Sequence, residues 1–328
     1  MLDKYFPVYI TVFIFTFILT AIIEKRLIPY FSLNAKQPIY SEGPTWHMKK
    51  SGTPTMGGIA FLLSSSFVFL LSFIFALIFI SHECAISLAI SMIYAILNSL
   101  IGIIDDRKKL KRHENAGLTP KQKLLLQTFV SILFLFARKI LLGDTSEITF
   151  SFGSVNLGFL YYPLSLIILL GIVNCANLTD GIDGLATSVA FSIGVSLFYI
   201  SASLNTESSI IASVILGASV GFMLFNIHPA KIFMGDTGSL FFGSIIASSA
   251  FMLGNPLIVI FLGGVYVIEG ISVILQVLSF KLTRKRIFKM APIHHHLEKC
   301  GLTENQICII AIFATLIFSI PAYILYLP

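Results

Sequence analysis

Charged residues are scarce in this chain of 328 residues: they make up 12% of it, against 56% for hydrophobic residues. A soluble globular domain carries about twice that share of charge, and the mean hydropathy of +0.91 is far too high for one. The composition therefore excludes an ordinary soluble domain and predicts many membrane-crossing helices.

Cysteine is rarer still, with four residues, and polar linkers and repeats of fixed period are missing. Cys84, Cys175, Cys300 and Cys308 are scattered without metal or redox spacing, so we expect no structural disulfide. Because no linker divides the chain, residues 1–328 are predicted to form a single integral membrane domain.

Apolar stretches long enough to cross a bilayer, which takes about 20 residues, occur about ten times. The predicted fold class is therefore an all-α polytopic membrane protein of about ten transmembrane helices. In the ninth stretch, Gly263, Gly264 and Gly270 favour a kink. Glu269, also in that stretch, needs either a hydrogen-bonding partner or a place in a lipid-facing groove. The stretches are residues 5–23, 55–80, 84–104, 122–142, 159–176, 184–203, 208–225, 238–254, 256–280 and 306–327.

One loop between two predicted membrane-crossing helices is longer than the very short loops on the same side of the membrane. The segment Glu147–Leu157 alternates in polarity and carries Gly153-Ser154. This pattern predicts a short exterior β-hairpin that covers helix ends.

Positive charge is distributed unevenly along the chain. All but three of the 22 lysine and arginine residues lie in loops that share one face of a ten-helix protein; the exceptions are Lys4, Arg138 and Lys139. This bias marks the cytoplasmic side, so both chain ends are expected outside the cell. It also explains the net charge of +6 without nucleic-acid binding.

Five aspartates interrupt the apolar pattern in three short polar breaks, all of which this orientation places on the cytoplasmic face. Carboxylates are costly beside hydrocarbon, so acids in such breaks usually bind ions or do chemistry. If the breaks meet, they form one site for a divalent cation and phosphate. The aspartates are Asp105, Asp106, Asp180, Asp183 and Asp236.

The first break holds adjacent carboxylates at a helix end, Asp105 and Asp106. Since neighbouring side chains diverge, one can ligate a metal while the other orients or abstracts a proton. The basic run that follows fits phosphate or anionic lipid headgroups.

The second break continues a row of polar residues at every third position: Asn174, Asn177, Asp180 and Asp183. Glycines within the row predict that a helix ends there and that a turn re-aims the acids. Their oxygens suit Mg²⁺ or the hydroxyls and imide of a nucleotide. Helix capping alone would explain one or two of the four.

The third break follows Asn226 and places Asp236 between two glycines before an apolar helix. Thr237 or Ser239 is expected to cap this helix, and its exposed backbone N–H groups to bind phosphate. A bare capping turn is the alternative interpretation.

Three adjacent histidines, His294, His295 and His296, follow the ninth stretch. Joint zinc ligation by neighbouring side chains would be strained. Hydrogen bonding to a substrate, or proton transfer near neutral pH, suits the imidazoles better.

Four further residues are ambiguous by themselves. Lys50 and Thr55 lie in a glycine-rich entry to the second stretch, which lacks the spacing of a P-loop. Lys121 and Lys123 open the fourth stretch, where lysines often only extend toward the membrane surface.

Together these motifs closely resemble the bacterial phospho-N-acetylmuramoyl-pentapeptide transferases, of the polyprenyl-phosphate N-acetylhexosamine-1-phosphate transferase superfamily. The resemblance extends from about residue 45 to the C-terminus. The ordered motifs are Lys-x-Gly-Thr-Pro-Thr-Met-Gly-Gly, Asp-Asp, Asn-Leu-Thr-Asp-Gly-Ile-Asp-Gly-Leu-Ala, Gly-Asp-Thr-Gly-Ser-Leu and Ala-Pro-Ile-His-His-His-Leu-Glu.

The resemblance implies a multi-pass enzyme of the bacterial cell membrane, usually a homodimer, with ten transmembrane helices and a Mg²⁺-dependent cytoplasmic active site. The implied reaction transfers phospho-MurNAc-pentapeptide from UDP-MurNAc-pentapeptide to undecaprenyl phosphate, giving lipid I and UMP for peptidoglycan synthesis. The bent ninth helix is implied to meet membrane lipid and to form a groove for the polyprenyl tail.

The resemblance also implies residue roles. Asp105 is the expected base or nucleophile, and Lys121 is the close alternative to Lys123. The implied catalytic residues are Asp105, Asp106, Asp236, Lys123, His294 and His295. The implied substrate-binding residues are Lys50, Thr55, Lys121, Asn174, Asn177, Asp180, Asp183, Asn226 and His296, and the implied metal ligands are Asp236 and Asp180.

Two other functions fit parts of the pattern. A relative that transfers GlcNAc-1-phosphate to the same lipid is the nearer one, but the Thr-Pro-Thr-Met-Gly-Gly and Ala-Pro-x-His-His-His segments favour the muramyl-peptide donor. A cation-coupled transporter also carries acids in broken helices, although near the membrane midplane rather than at one face.

Overall fold

The computed structural model describes residues 4–35, 50, 52–112, 117–204 and 208–326; Lys49 and Ser51 of the entry motif lie outside them. Helices dominate, and a 3₁₀ turn, Gly158–Leu160, precedes α5. The elements are α1 Phe6–Asn34, α2 Gly58–Phe79, α3 His82–Arg112, α4 Pro120–Leu141, β1 Glu147–Phe150, β2 Gly153–Asn156, α5 Tyr161–Thr179, α6 Leu185–Ser203, α7 Ser208–Asn226, α8 Gly235–Met252, α9 Ile258–Leu262, α10 Gly264–Thr283, α11 Ile293–Lys299, α12 Glu304–Phe318 and α13 Ile320–Tyr326.

Nine helical segments within these ranges are long and apolar enough to cross a membrane. This confirms the predicted all-α polytopic fold. The tenth expected crossing helix, α8, does not reach the same apolarity, yet its residues 237–251 are all buried. Because protein rather than lipid surrounds α8, chiefly α3 and α5, it accommodates serines whose hydroxyls donate to its own backbone carbonyls.

The helix bundle has two chemically different ends. The acidic breaks lie at the C-terminal ends of α3 and α5 and at the N-terminal end of α8. At the other end, the β-hairpin contacts the chain after α8, where Thr149 N–H donates to the carbonyl of Gly254. Both described chain ends are there as well: Tyr5 donates to the carbonyl of Phe79, and the Leu325 carbonyl accepts from Ser151.

The predicted β-hairpin is present, but its turn is two residues earlier than Gly153-Ser154. The antiparallel register pairs Phe150 with Gly153, so Ser151 and Phe152 form the turn. Gly153 begins β2 with a φ of +143°, a conformation that a glycine adopts without steric cost.

The predicted kink in the ninth stretch corresponds to a break at Gly263, between α9 and α10. The helix then continues without interruption through Gly270. Gly270 instead allows α10 to pack closely against α5, because a Cβ atom at this position would lie 2.3 Å from the Cys175 sulfur.

Close packing of α1 on α7 depends on two glycines one turn apart in α7, Gly217 and Gly221. A Cβ atom at Gly217 would lie 2.6 Å from the Phe13 carbonyl oxygen and 2.7 Å from the Thr16 Cβ atom. Small residues at this spacing let the backbones of membrane helices approach.

We predict that Gly217→Ala destabilises the protein by about 1–3 kcal/mol, because the methyl group overpacks this interface. Gly171→Ala is the matched control, since no atom lies within 4 Å of a Cβ at that helical position. Thermal unfolding in detergent compares them, and equal melting temperatures would contradict the close contact.

Candidate active site

Asp106 of α3 holds the first turn of α8. Its Oδ1 accepts the backbone N–H of Asp236 at 3.1 Å, and its Oδ2 accepts the N–H and the hydroxyl of Thr237 at 3.0 and 2.7 Å. The expectation that Thr237 or Ser239 caps α8 is therefore wrong, and the N–H groups expected to bind phosphate are occupied. A carboxylate from another helix satisfies them because a helix N-terminus attracts negative charge.

The neighbouring carboxylate of Asp105 points elsewhere. Its Oδ1 accepts the backbone N–H of Leu118 at 2.6 Å, and its Oδ2 lies 2.7 Å from the Lys109 ammonium. Lys109 also lies 3.2 Å from Oδ2 of Asp236, so it links the two carboxylates. Gly117 permits this geometry, because a Cβ there would lie 2.4 Å from Asp105 Oδ1.

Asp236 joins three helices through polar contacts. Its Oδ2 lies 2.7 Å from the ammonium of Lys123 on α4, and its Oδ1 accepts from the Asn177 amide of α5 at 3.1 Å. Asn177 in turn accepts from Lys123 at 2.7 Å. Lys121 is exposed and forms no ion pair with the described residues, so Lys123 is the lysine that the fold brings to the acids.

The three carboxylates form one cluster. Oxygen atoms of Asp105, Asp106 and Asp236 lie within 4.8 Å of one another. Hard oxygen ligands of this kind are what Mg²⁺ and Ca²⁺ prefer, and each carboxylate has more lone pairs than its present contacts use. The residues therefore fit a divalent cation, and two lysines already offset part of their negative charge.

The polar row of α5 ends beside this cluster. Asn174 donates to the side chain of Gln127 on α4 at 2.9 Å. Asp180 follows the last residue of α5, is half-buried, and has no hydrogen-bond partner for its carboxylate within the described ranges. Burial, and then the charges of Asp236 and Asp106, raise the pKa of Asp180 to about 8. A cation between these acids would favour its ionised form.

A second polar cluster lies beside the first. The Lys50 ammonium is 2.6 Å from both Oδ1 of Asp183 and Oε2 of Glu304. The other oxygen of Asp183 accepts the N–H of Ala230 at 3.0 Å and lies 2.9 Å from Nδ1 of His228. This network links the turn before α6 to the first turn of α12.

Three residues of these clusters escaped the sequence analysis as individuals. Lys109 has a recognisable signal, because it follows Asp105 by four residues and so shares its helix face. Glu304 and His228 have no such signal in the sequence. Glu304 resembles an ordinary acid in the first turn of a helix, and His228 resembles an ordinary loop residue. Only folding brings them to Lys50 and Asp183.

Other predicted substrate-binding residues lie inside the protein. The Asn226 amide accepts the N–H of Gly184 and donates to the Ile232 carbonyl, so it holds two loops together. Thr55 is buried against Gly235, where a Cβ would lie 2.9 Å from its hydroxyl oxygen. Their substrate contacts remain predictions.

The three histidines have different hydrogen-bonding partners, although the ring centroids of His294 and His295 lie only 4.2 Å apart. Nδ1 of His294 lies 3.0 Å from Oε2 of Glu269, and Nδ1 of His295 lies 2.6 Å from Oε2 of Glu298. Nδ1 of His296 accepts the backbone N–H of Lys289 at 3.2 Å. The acid in the ninth stretch thus has a hydrogen-bonding partner, His294.

We predict that Asp106→Ala lowers the free energy of unfolding by about 1–3 kcal/mol, because two N–H groups at the start of α8 lose their acceptor. Asp106→Asn keeps one acceptor oxygen, so its loss should be smaller. Chemical denaturation in detergent measures both, and wild-type stability in the alanine variant would contradict this capping role.

The chain is similar both to known family models and to individual known proteins. Residues 85–254 match the model of glycosyl transferase family 4, and residues 50–62 match phospho-N-acetylmuramoyl-pentapeptide-transferase signature 1. Proteins named phospho-N-acetylmuramoyl-pentapeptide-transferase are similar over nearly the whole chain. That of Clostridium perfringens strain SM101 is 40% identical over 320 residues, covering 97% of this chain and 96% of its own. Those of Halalkalibacterium halodurans and Caldicellulosiruptor bescii are 40% and 39% identical, each covering 94% of both chains.

Proposed function

The chain belongs to the phospho-N-acetylmuramoyl-pentapeptide transferases, and from this we propose that its Asp105–Asp106–Asp236 cluster is a Mg²⁺-dependent active site. The protein is a multi-pass bacterial membrane enzyme of peptidoglycan synthesis. It transfers phospho-MurNAc-pentapeptide from UDP-MurNAc-pentapeptide to undecaprenyl phosphate, and the products are lipid I and UMP. The observation that carries the proposed site is the meeting of three carboxylates and two lysines at one end of the bundle.

Asp236 and Asp180 are the proposed metal ligands, with Asp105 beside them. Asp236 presents its carboxylate toward Asp105, and Asp180 has an uncommitted carboxylate near both Asp236 and Asp106. When bound, Mg²⁺ neutralises the diphosphate and steadies the departing UMP. Asp106 contributes by fixing the start of α8.

The lysines address the electrostatic problem of the reaction. A pyrophosphate must be opened by a second phosphate, so two anions have to approach each other. Lys109 and Lys123 bracket Asp236, at 3.2 and 2.7 Å from its Oδ2, and their ammonium groups offset the charge of the incoming lipid phosphate. Lys50, which is held between Asp183 and Glu304, is the lysine proposed to contact the nucleotide.

We also propose that this end of the bundle faces the cytoplasm, because it carries nearly all of the lysine and arginine. The described chain ends lie at the opposite end, which supports placing both termini outside. The homodimer implied by the resemblance stays a prediction that cross-linking in native membranes tests.

Purified protein is expected to release UMP from UDP-MurNAc-pentapeptide over many turnovers only with undecaprenyl phosphate and Mg²⁺ present. Asp236→Ala should abolish release, and UDP-GlcNAc should not replace the donor. Efficient use of UDP-GlcNAc would favour the GlcNAc-1-phosphate alternative, and release without divalent cation would contradict the metal site.

Lys123→Ala should lower kcat/KM by about 100-fold, a loss of about 3 kcal/mol in transition-state stabilisation. Lys121→Ala, which removes the same charge two residues away on an exposed position, should stay near wild type. The ratio of UMP release rates measures this contrast. Equal losses in the two variants would mean that Lys123 acts only through surface charge.

Asp105 has two possible chemical roles, which phosphorus stereochemistry separates. If Asp105 deprotonates the lipid phosphate in a single displacement, a chiral phosphorothioate donor should give inversion at the transferred phosphorus. If Asp105 attacks first, two displacements should give retention, and a phosphosugar adduct should be trapped on Asp105. The Asp105→Asn variant is the control in which no adduct forms.

A further inference from the structure

Glu269 lies well inside the membrane-crossing helix α10 and is 2% exposed. A carboxylate in such a place requires a polar partner. Its Oε2 accepts the backbone N–H of His294 at 3.4 Å and lies 3.0 Å from Nδ1 of the same residue. Among the described residues, both hydrogen-bonding contacts of the Glu269 carboxylate with α11 are therefore to His294.

This pair determines which imidazole nitrogen is available. An ionised carboxylate only accepts hydrogen bonds, so the contact with Oε2 of Glu269 favours the form of His294 in which Nδ1 carries the hydrogen. A carboxylate at one ring nitrogen fixes both the tautomer and the ring orientation. Any further contact of His294 must therefore use Nε2.

Nε2 of His294 is buried and has no hydrogen-bond partner in the described part of the chain, and the residue is only 1% exposed. It faces the turn next to Asp180: a Cβ atom at Gly181 would lie 2.2 Å from it. Leaving a buried polar atom unpaired costs about 1–3 kcal/mol. Because Nε2 points toward the acidic turn and lacks a partner in the described part of the chain, this position indicates that a ligand supplies its hydrogen-bond partner.

We propose that Glu269 is a positioning residue that acts through His294, holding Nε2 toward the diphosphate-bearing donor at the Asp180–Gly181 turn. This rests on the proposed function. His294 makes the contact with substrate, while Glu269 never touches it. The intramembrane acid therefore belongs to the active site although it lies on a lipid-exposed helix.

A double-mutant cycle tests this dependence. Glu269→Leu should lower kcat/KM by about 10- to 100-fold, the usual effect of losing a carboxylate that orients an imidazole. Glu269→Gln, which keeps shape and an acceptor oxygen, should retain more activity. In a His294→Ala background, neither substitution should lower kcat/KM further. Equal losses in both backgrounds would overturn the proposal, since Glu269 would then act without His294.

Glu24→Gln is the matched control, because Glu24 is also buried within a membrane-crossing helix, and neither of its carboxylate oxygens has a hydrogen-bond partner among the described residues. It should leave kcat/KM near wild type and should not couple to His294→Ala. Similar coupling by Glu24 would show a general effect of buried acids and would contradict a specific pair.

Nitrogen-15 spectra of histidine-labelled protein provide a readout that needs no turnover. The signals absent from His294→Ala identify His294, and Glu269→Leu should shift them away from the Nδ1–H form. Unchanged shifts would overturn the positioning role. If instead the wild type releases no UMP while these shifts move as expected, the proposed function fails and the Glu269–His294 pair stands.

Discussion

The contact between the Asp106 carboxylate and the first turn of α8 sets the geometry of the whole site. α8 is the most buried helix of the bundle, and its start carries the central aspartate, Asp236. A helix that ends inside protein must have its first N–H groups satisfied. Because Asp106 does this from α3, the capping interaction also places Asp236 beside Asp105. Stability and active-site assembly therefore share one contact.

Glycines make this crossing of helices possible. A Cβ at Gly58 would lie 2.3 Å from the backbone nitrogen of Gly238, and one at Gly102 would lie 2.4 Å from the Asp236 carbonyl oxygen. Backbones of α2 and α3 thus pass directly against the start of α8. Side chains of any size there would separate the carboxylates that the site needs together.

Electrostatics then balances the cluster. Burial, and then repulsion between carboxylates at close range, favour protonation, and together they raise the pKa of Asp180. Lys109 and Lys123 reduce this repulsion at Asp236. The arrangement therefore offers a site of mixed charge to a cation and a polyanionic substrate. Glu269 and His294 extend the same polar region into the membrane-facing side of the protein.

Much of this was predictable from the sequence, because membrane crossing imposes long apolar runs and makes each interrupting acid conspicuous. The polytopic helical fold, the hairpin, the helix end near Asp180 and the choice of candidate aspartates all follow from such local patterns, whereas the tenth expected crossing helix, α8, lacks the apolarity of the other nine. Which side chains contact each other was not predictable. Thr237 or Ser239 was expected to cap α8, and the residues alone did not show whether Lys121 or Lys123 reaches the acids. Glu304 and His228 gave no local signal, since their importance comes from contacts with Asp183, which lies 121 residues from Glu304 and 45 residues from His228 along the chain. Periodicity and polarity are local properties of the chain, so the sequence alone determines them. Which groups come into contact depends on how the helices cross, and only the packed bundle determines that.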